Sequence, residues 1–119
     1  MALRTLTLTD FFEAVAAPGT TFVDFWAPWC PPCRAFGPVF ERAAAAHPEH
    51  TFAKVNTEAE QELGARLGIT SIPTIMVFHD GDLIFAQPGA LLGGAFEKLI
   101  AAVEAHTVEG AVADPAAAA

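Results

Sequence analysis

The chain has 119 residues, of which 53% are apolar and 17% are charged, and its formal net charge is −8. This length predicts one domain that can bury a core without disulfide staples. The six Lys and Arg residues are scattered singly, so there is no basic patch for nucleic acid or for an anionic membrane surface. The N-terminus lacks the apolar run of a signal peptide, and no segment has the length and hydropathy of a membrane span. We therefore expect a cytoplasmic protein without nucleic-acid or membrane partners.

The N-terminal part of the chain predicts a strand, a short helix and a second strand. Alternating apolar residues indicate the first strand at 3–8. Asp10 and Glu13 have the spacing of a capping box, which predicts the start of a helix. Residues 21–27 are apolar except for Asp24, a pattern typical of a central strand covered by helices on both faces.

The middle of the chain continues the alternation of strands and helices. Apolar residues at helical spacing predict a long helix that ends near His47, and Pro38 should kink it because proline lacks the N–H and crowds the preceding turn. A third strand is expected at 51–56. Thr57 and Glu60 form a second capping-box pattern, which predicts the next helix.

The last part of the patterned sequence predicts a hairpin and a helix. Gly68 is the expected left-handed stop of the preceding helix. Strands at 74–79 and 82–87 are separated by Asp80-Gly81, a hairpin-turn dipeptide. Apolar residues at helical spacing then predict a final amphipathic helix. The resulting order, βαβαβ followed by helix, hairpin and helix, predicts an α/β fold whose first strands are parallel through right-handed crossovers, with an antiparallel hairpin at one edge.

Both cysteines lie in one motif, Trp29-Cys30-Pro31-Pro32-Cys33, between the apolar second strand and the long helix. In a cytosolic chain, Cys-x-x-Cys at a strand–helix junction indicates a redox-active dithiol. Cys30 is the candidate nucleophile because the unpaired N–H groups and the dipole at a helix N-terminus favour a thiolate. Cys33, one helical turn later and expected to be more buried, would then attack Cys30 to release a reduced substrate.

A zinc site is the main alternative use of the cysteines. Cys30, Cys33, His47 and His50 superficially resemble a two-Cys, two-His finger. The histidine spacing is one residue shorter than usual, and the intervening helix would hold His47 about 20 Å from Cys33 by helical rise. We therefore predict no metal ligands in this chain.

Several motifs in the same order make the chain resemble the thioredoxin family from about Thr21 to Val103. The matching motifs are Val23-Asp24-Phe25-Trp26-Ala27, Trp29-Cys30-Pro31-Pro32-Cys33, Pro38, Lys54-Val55-Asn56, Ile72-Pro73-Thr74, Asp80-Gly81 and Gly89-Ala90. The resemblance implies a thioredoxin fold, with a five-stranded mixed sheet flanked by four helices. On this basis residues 1–106 are the thioredoxin domain and residues 107–119 a flexible Ala-rich tail.

The resemblance also implies an enzyme that reduces protein disulfides by dithiol–disulfide exchange in electron transport and cell redox homeostasis. Such a protein is expected to be a monomer with no bound cofactor, recharged by an NADPH-dependent flavoprotein reductase. One departure is notable, because the family's usual dipeptide between the cysteines is Gly-Pro and here it is Pro31-Pro32. Pro31 removes an N–H and stiffens the loop, which favours the disulfide form, whereas strain in a two-proline ring would favour the dithiol.

Two supporting charges are implied by the resemblance. Asp24 would be a buried carboxyl with a raised pKa that accepts the proton of Cys33. From the strand pattern alone, an outward-facing Asp24 is the alternative. Lys54 would lie on the neighbouring strand and modulate Asp24, or else be a solvated residue at the strand end.

A substrate-docking surface is also implied by the resemblance. The Ile72–Pro73 peptide would be cis and packed against the dithiol, which exposes the backbone of Ile72 to an extended substrate segment. Trp29 and the loop at Gly89 would complete a flat apolar surface.

Two other activities remain open at the level of the sequence. A thiol oxidase or disulfide isomerase would use the same fold and dithiol, but its usual location is an oxidising compartment. A non-catalytic adaptor with this fold would not need both Cys30 and Cys33.

Overall fold

The structure is a computed structural model that describes residues 3–106. Within this range the chain forms five strands and four helices, and the tail predicted at 107–119 lies outside the described residues. The elements are β1 (Leu3–Thr5), α1 (Phe11–Ala16), β2 (Thr20–Trp26), α2 (Pro31–Ala46), β3 (Thr51–Asn56), α3 (Gln61–Arg66), β4 (Thr74–His79), β5 (Asp82–Pro88) and α4 (Ala95–Glu104).

The five strands form one mixed sheet in the order β1-β3-β2-β4-β5. Strands β1, β3 and β2 are parallel, β4 is antiparallel to β2, and β5 is antiparallel to β4. The predicted parallel core with an antiparallel hairpin at one edge is therefore confirmed. Strand β2 lies at the centre, and every residue from Thr20 to Phe25 is buried, as its almost continuous apolar sequence predicts.

The alternation of side chains along β2 divides the core into two layers. Val23 and Phe25 point to the layer that contains α1 and α3, with Phe11 and Leu63 as large buried members. Phe22 points to the opposite layer under α2 and α4, which is dominated by aromatic rings. The buried rings of that second layer are Phe22, Phe36, Phe40, Phe52 and Phe96.

The turn signals in the sequence are confirmed by the backbone angles. Gly68, after α3, has φ +69°, and the hairpin residues Asp80 and Gly81 have φ +49° and +89°. Both hairpin residues are thus left-handed, as a two-residue turn between twisted strands requires. Pro38 lies inside α2 as predicted, and the kink there stays a prediction.

The two capping-box predictions are wrong, because each acidic side chain binds a different part of the chain. Asp10 precedes α1, but its Oδ1 accepts a hydrogen bond from the N–H of Thr7 at 2.7 Å and does not cap the helix. Glu60 precedes α3, and its Oε1 accepts from the N–H of Leu8 at 2.9 Å. These contacts fix the turn after β1, so that strand ends at Thr5 rather than at residue 8.

Phe96 is the ring that connects the aromatic layer. Its centroid lies 5.2–6.3 Å from those of the other four phenylalanines in the layer. The described part of the chain contains no helix with the length and apolar character needed to cross a membrane. The five rings joined by Phe96 form one buried aromatic core, whereas Phe12 and Trp29 are exposed.

We predict that Phe96→Ala lowers the free energy of unfolding by about 3–5 kcal/mol, because it removes a fully buried ring and leaves a cavity that the neighbouring rings cannot fill. The matched control is Phe12→Ala, because the Phe12 side chain is 47% exposed and its loss should cost less than about 1 kcal/mol. Urea unfolding of the two oxidised variants measures both values. Equal destabilisation by the two substitutions would contradict the assigned core.

Candidate active site

The two cysteines form a disulfide at the junction between β2 and α2. Cys30 is the N-cap residue of α2, with extended backbone angles, and Pro31 and Pro32 occupy the first two helical positions. Proline is well suited to the first turn of a helix because the N–H groups there have no partner within the helix. Cys33 is the third helical residue, and its N–H donates to Sγ of Cys30 at 3.3 Å. The cysteine Cα atoms are 5.2 Å apart, an ordinary separation for a disulfide.

Both sulfur-bearing residues are buried in this oxidised form. Cys30 is 3% exposed and Cys33 is 2% exposed, so Cys33 is the more buried cysteine, as predicted, but only marginally. Cys30 is also shielded from solvent, because Ala27, Trp26 and Ile72 pack around the cysteine pair.

The loop before β4 closes one side of the site. The peptide between Ile72 and Pro73 is cis, as expected from the resemblance. The carbonyl oxygen of Ile72 lies 3.8 Å from Sγ of Cys30. The carbonyl of Pro73 accepts a hydrogen bond from the N–H of Gly89 at 2.7 Å, which ties the loop to the segment after β5. Thr74 donates from Oγ1 to the carbonyl of Ser71 at 2.6 Å and closes the turn.

The surface around the disulfide is exposed and largely apolar. Trp29 is 63% exposed, and Pro31 and Pro32 are both exposed beside it. Gly89 is exposed with φ +111°. Of the four residues predicted to bind the substrate, Trp29 and Gly89 thus lie at the surface, whereas Ile72 is half-buried and Pro73 is buried. The disulfide beside them is itself recessed.

Asp24 is fully buried in the central strand. It pairs in register with Lys54 on β3 and Ile75 on β4, and strand alternation places it on the same sheet face as Phe22, under α2. Neither carboxylate oxygen has a hydrogen-bond partner within the described residues. Loss of solvation raises the pKa of Asp24 to about 7, although the positive charge of Lys54 acts in the opposite direction. The prediction of a buried carboxyl with a raised pKa is confirmed, and the outward-facing alternative is excluded.

Lys54 has three neighbours that sequence patterns did not reveal. Its ammonium lies 4.5 Å from the centroid of the Trp26 ring and 3.9 Å from Oε2 of Glu41 on α2. A Cβ added at Gly37 would be 4.0 Å from the same nitrogen, so the side chain runs beneath α2. The Lys54 side chain is 17% exposed, which does not fit a freely solvated residue at the end of a strand. The contact with Trp26 is a cation–π interaction across adjacent strands. Trp26 lies two positions along β2 from Asp24, which is the register partner of Lys54.

The zinc interpretation does not fit this geometry. Cys30 and Cys33 are bonded to each other at the start of α2, whereas His47 is the C-cap residue of the same helix. The imidazoles of His47 and His50 contact Oε1 of Glu97 at 2.9 Å and Oε2 of Glu104 at 2.7 Å. The fold therefore holds the two cysteines and the two histidines at opposite ends of α2.

A disulfide between Cys30 and Cys33 can exchange its sulfur–sulfur bond with a thiol or disulfide of another molecule. The fold places this disulfide at the N-terminus of α2, directly after the strand β2 that carries the buried carboxyl of Asp24. The fold and this site together define a thiol–disulfide oxidoreductase.

Comparisons with known proteins agree with that class. The family model for thioredoxin matches residues 2–105, so the chain belongs to the thioredoxin family. A Streptomyces coelicolor protein with a provisional thioredoxin 2 name is 47% identical over 95 residues, covering 80% of this chain and 71% of that protein. Thioredoxin of Alicyclobacillus acidocaldarius is 45% identical over 91 residues, covering 71% of this chain and 87% of that one.

Solved structures give the same result for the fold. The oxidised mitochondrial thioredoxin 3 of Saccharomyces cerevisiae superposes with a TM-score of 0.75 at 30% identity, covering 83% of this chain and 93% of that chain. Plasmodium falciparum thioredoxin superposes with a TM-score of 0.76 at 28% identity, covering 82% and 96% of the two chains. The chain has the thioredoxin fold, with the five-stranded mixed sheet and four helices expected from the sequence.

The buried carboxyl makes stability depend on pH. With a pKa of about 7 in the folded state, raised from the usual 3.8 of an aspartate, Asp24 keeps a proton that the unfolded chain loses above about pH 4. The free energy of unfolding should therefore fall as pH rises from about 4 to about 7 and then level off, by about 4 kcal/mol at most. In Asp24→Asn this decline should be absent, so the variant should be more stable than the wild type at neutral pH.

Urea unfolding of the oxidised proteins across this pH range measures the difference. The exposed Asp82 on β5 provides the control substitution, Asp82→Asn, which should leave the pH profile of the wild type unchanged. A decline of the same size in Asp24→Asn and in the wild type would disprove the assignment.

Proposed function

We propose that the chain is a cytoplasmic protein-disulfide reductase that transfers two electrons from the Cys30–Cys33 dithiol to disulfides of other proteins. The observation that carries this proposal is the position of the Cys30–Cys33 disulfide at the N-terminus of α2, immediately after the strand β2 that contains the buried carboxyl of Asp24. In its reduced form, the Cys30 thiolate attacks one sulfur of the substrate disulfide and releases the other sulfur as a thiolate. The thiolate of Cys33 then attacks Cys30, which forms the Cys30–Cys33 bond and releases the second substrate thiolate.

The N-terminus of α2 supports the thiolate of Cys30. Pro31 and Pro32 lack N–H groups, so the N–H of Cys33 is the first one in the helix that can reach the sulfur, and it points at Sγ of Cys30 at 3.3 Å. A charge-assisted hydrogen bond of this kind, together with the positive end of the helix dipole, lowers the pKa of an N-cap thiol.

Asp24 is the proposed proton acceptor for Cys33 in the second step. Its pKa of about 7 suits a general base at neutral pH. Because its oxygens have no hydrogen-bond partner among the described residues, the carboxylate is free to accept a proton. Lys54 modulates this group, since its positive charge lowers the pKa of Asp24.

The proposed substrate is an extended protein segment that pairs with the backbone of Ile72. Within the described residues, the N–H of Ile72 has no hydrogen-bond partner, whereas the adjoining Pro73 carbonyl is already bound by Gly89. An added strand at this loop places its own sulfur near Cys30, because the Ile72 carbonyl is 3.8 Å from Sγ. Trp29, 63% exposed, provides an apolar contact for the same segment.

The remaining features of the proposal follow the family. A monomeric domain spanning residues 1–106 acts without a bound cofactor, and an NADPH-dependent flavoprotein reductase returns the disulfide to the dithiol. The match of the family model over residues 2–105 supports the domain boundary, and residues 107–119 take no part in exchange in this proposal. An oxidase or isomerase acting through the same cysteines is the alternative that the redox measurement below excludes or establishes.

The roles of the two cysteines can be separated by trapping. In Cys33→Ser, Cys30 should still attack a disulfide-containing protein, but the mixed disulfide should accumulate because no second thiol resolves it. Cys30→Ser should form no such adduct. Non-reducing electrophoresis and mass spectrometry detect the adduct, and NADPH consumption with a bacterial thioredoxin reductase should be lost in both variants. Adducts formed mainly through Cys33 would reverse the assigned roles.

The redox equilibrium distinguishes a reductase from an oxidase. Titration against a glutathione buffer should give a potential near about −270 mV, whereas about −120 to −180 mV would indicate an oxidase or isomerase. Pro31→Gly should raise the potential by about 10–20 mV, because about 0.4–1 kcal/mol of ring pre-organisation is lost and 30 mV corresponds to about 1.4 kcal/mol. Pro28→Gly, just outside the ring, is the control and should leave the potential unchanged. A fall in potential for Pro31→Gly would show that the two-proline ring is strained in the disulfide.

A further inference from the structure

A second group of polar side chains lies at the opposite end of α2 from the cysteines. We define the His–Glu cluster as His47, Glu49, His50, Glu97 and Glu104. His47 is the C-cap residue of α2, Glu49 and His50 follow in the turn before β3, and Glu97 and Glu104 lie on α4. The cluster therefore combines residues 47–50 with α4, two segments that only the tertiary structure brings together.

Four atoms of the cluster face one another at distances that suit a single cation. Nδ1 of His47 is 3.5 Å from Oε2 of Glu49 and 3.9 Å from Oε2 of Glu104. Nε2 of His50 is 3.7 Å and 2.7 Å from the same two oxygens. Tetrahedral zinc with ligand bonds of about 2.0–2.1 Å requires ligand atoms about 3.3 Å apart. The four nitrogen–oxygen separations lie on both sides of this value. Ligand atoms of His47, Glu49 and Glu104 already lie within 4.8 Å of one another, and movement of the His50 ring toward them would complete the coordination.

Glu97 supplies the outer contact that metal-binding histidines require. Its Oε1 lies 2.9 Å from Nε2 of His47, the ring nitrogen that faces away from the four atoms. A carboxylate at this position accepts the Nε2 proton, so the tautomer is fixed with Nδ1 available as a ligand. The contact leaves Nδ1 facing Glu49 and Glu104, where it can act as a ligand.

Local charge also favours a cation at this position. Among the described residues, the ion pairs of Glu49, Glu97 and Glu104 are all formed with His47 or His50. With neutral imidazoles, three carboxylates are left without a permanent positive charge. The helices α2 and α4 both end here, at Ala46 and Glu104, and a helix C-terminus carries a partial negative charge.

We propose that His47, Glu49, His50 and Glu104 form a binding site for one divalent zinc ion, with Glu97 as the positioning residue for His47. Two imidazole nitrogens and two carboxylate oxygens match the ligand preferences of zinc. The ion ties the turn before β3 to the end of α4, and its binding stabilises the folded chain by mass action. This site is distinct from the Cys30–Cys33 pair, which lies about 24 Å away along α2 by helical rise.

The test uses the full-length oxidised protein, so that the cysteines, closed in their disulfide, cannot bind the metal. Isothermal titration with zinc chloride should show one ion per chain, and the unfolding temperature should rise with zinc concentration. His47→Gln and Glu104→Gln should each abolish stoichiometric binding and the rise in unfolding temperature. Glu97→Gln should keep the stoichiometry but lower the affinity about 10–100-fold, the usual effect of losing an outer-shell partner.

The control is His79→Gln, because His79 also lies beside an acidic residue, with Nε2 3.3 Å from Oδ2 of Asp80, but outside the cluster. It should bind zinc as the wild type does. Disulfide-reductase activity of each variant, assayed without zinc, shows that it is folded and keeps this test independent of the redox proposal. Absence of zinc binding by the wild type, or equal binding by wild type, His47→Gln and Glu104→Gln, would overturn the proposal.

Discussion

The structure depends above all on the packing of α2 against the central strand. The buried residues of α2 recur every three or four positions, from Cys33 through Phe36 and Phe40 to Ala44, and this stripe lies over the side chains of β2 and β3. The rings of Phe22 and Phe52 are stacked at 5.0 Å beneath it. Because Cys33 is the first member of the same stripe, the packing that buries the aromatic rings also places the first turn of α2 at the carboxyl end of β2. The position of the disulfide is therefore a consequence of the core.

The same arrangement imposes a cost at Asp24. A carboxyl without hydrogen-bond partners in the most buried strand opposes folding whenever it is ionised. The neighbouring charge of Lys54 reduces that cost, but Lys54 also contacts the Trp26 ring and Glu41, so the chain does not supply a dedicated ion pair for Asp24. A residue that destabilises the fold at neutral pH and lies under α2 is consistent with the proposed role of Asp24 in proton transfer.

The sequence was informative wherever a local rule acts alone. Strand β3 was predicted at its observed bounds because apolar alternation, a turn before it and a helix after it all agree. The hairpin at Asp80-Gly81 followed from the need for two left-handed residues. The acidic residues at the helix starts were misjudged because a capping box competes with tertiary hydrogen bonds, and Glu60 finds a backbone N–H 52 residues away at Leu8. Long-range pairing of this kind has no signature in a single sequence.

His47 and His50 show the same limit, because their partners are also distant in the sequence. The sequence grouped His47 and His50 with the two cysteines as a possible zinc site, because a sequence shows only how far apart residues lie along the chain. In the fold, α2 separates the two pairs, and the histidines meet glutamates of α4 that lie about 50 residues later. One helix then presents ends of opposite character: the unpaired N–H groups at its start favour the negative sulfur of Cys30, and the unpaired carbonyls at its end favour a positive charge near His47. The backbone of α2 thus favours a negative charge at its start and a positive charge at its end. The residues placed there decide that the negative charge is the thiolate of Cys30 and the positive charge is the proposed zinc ion.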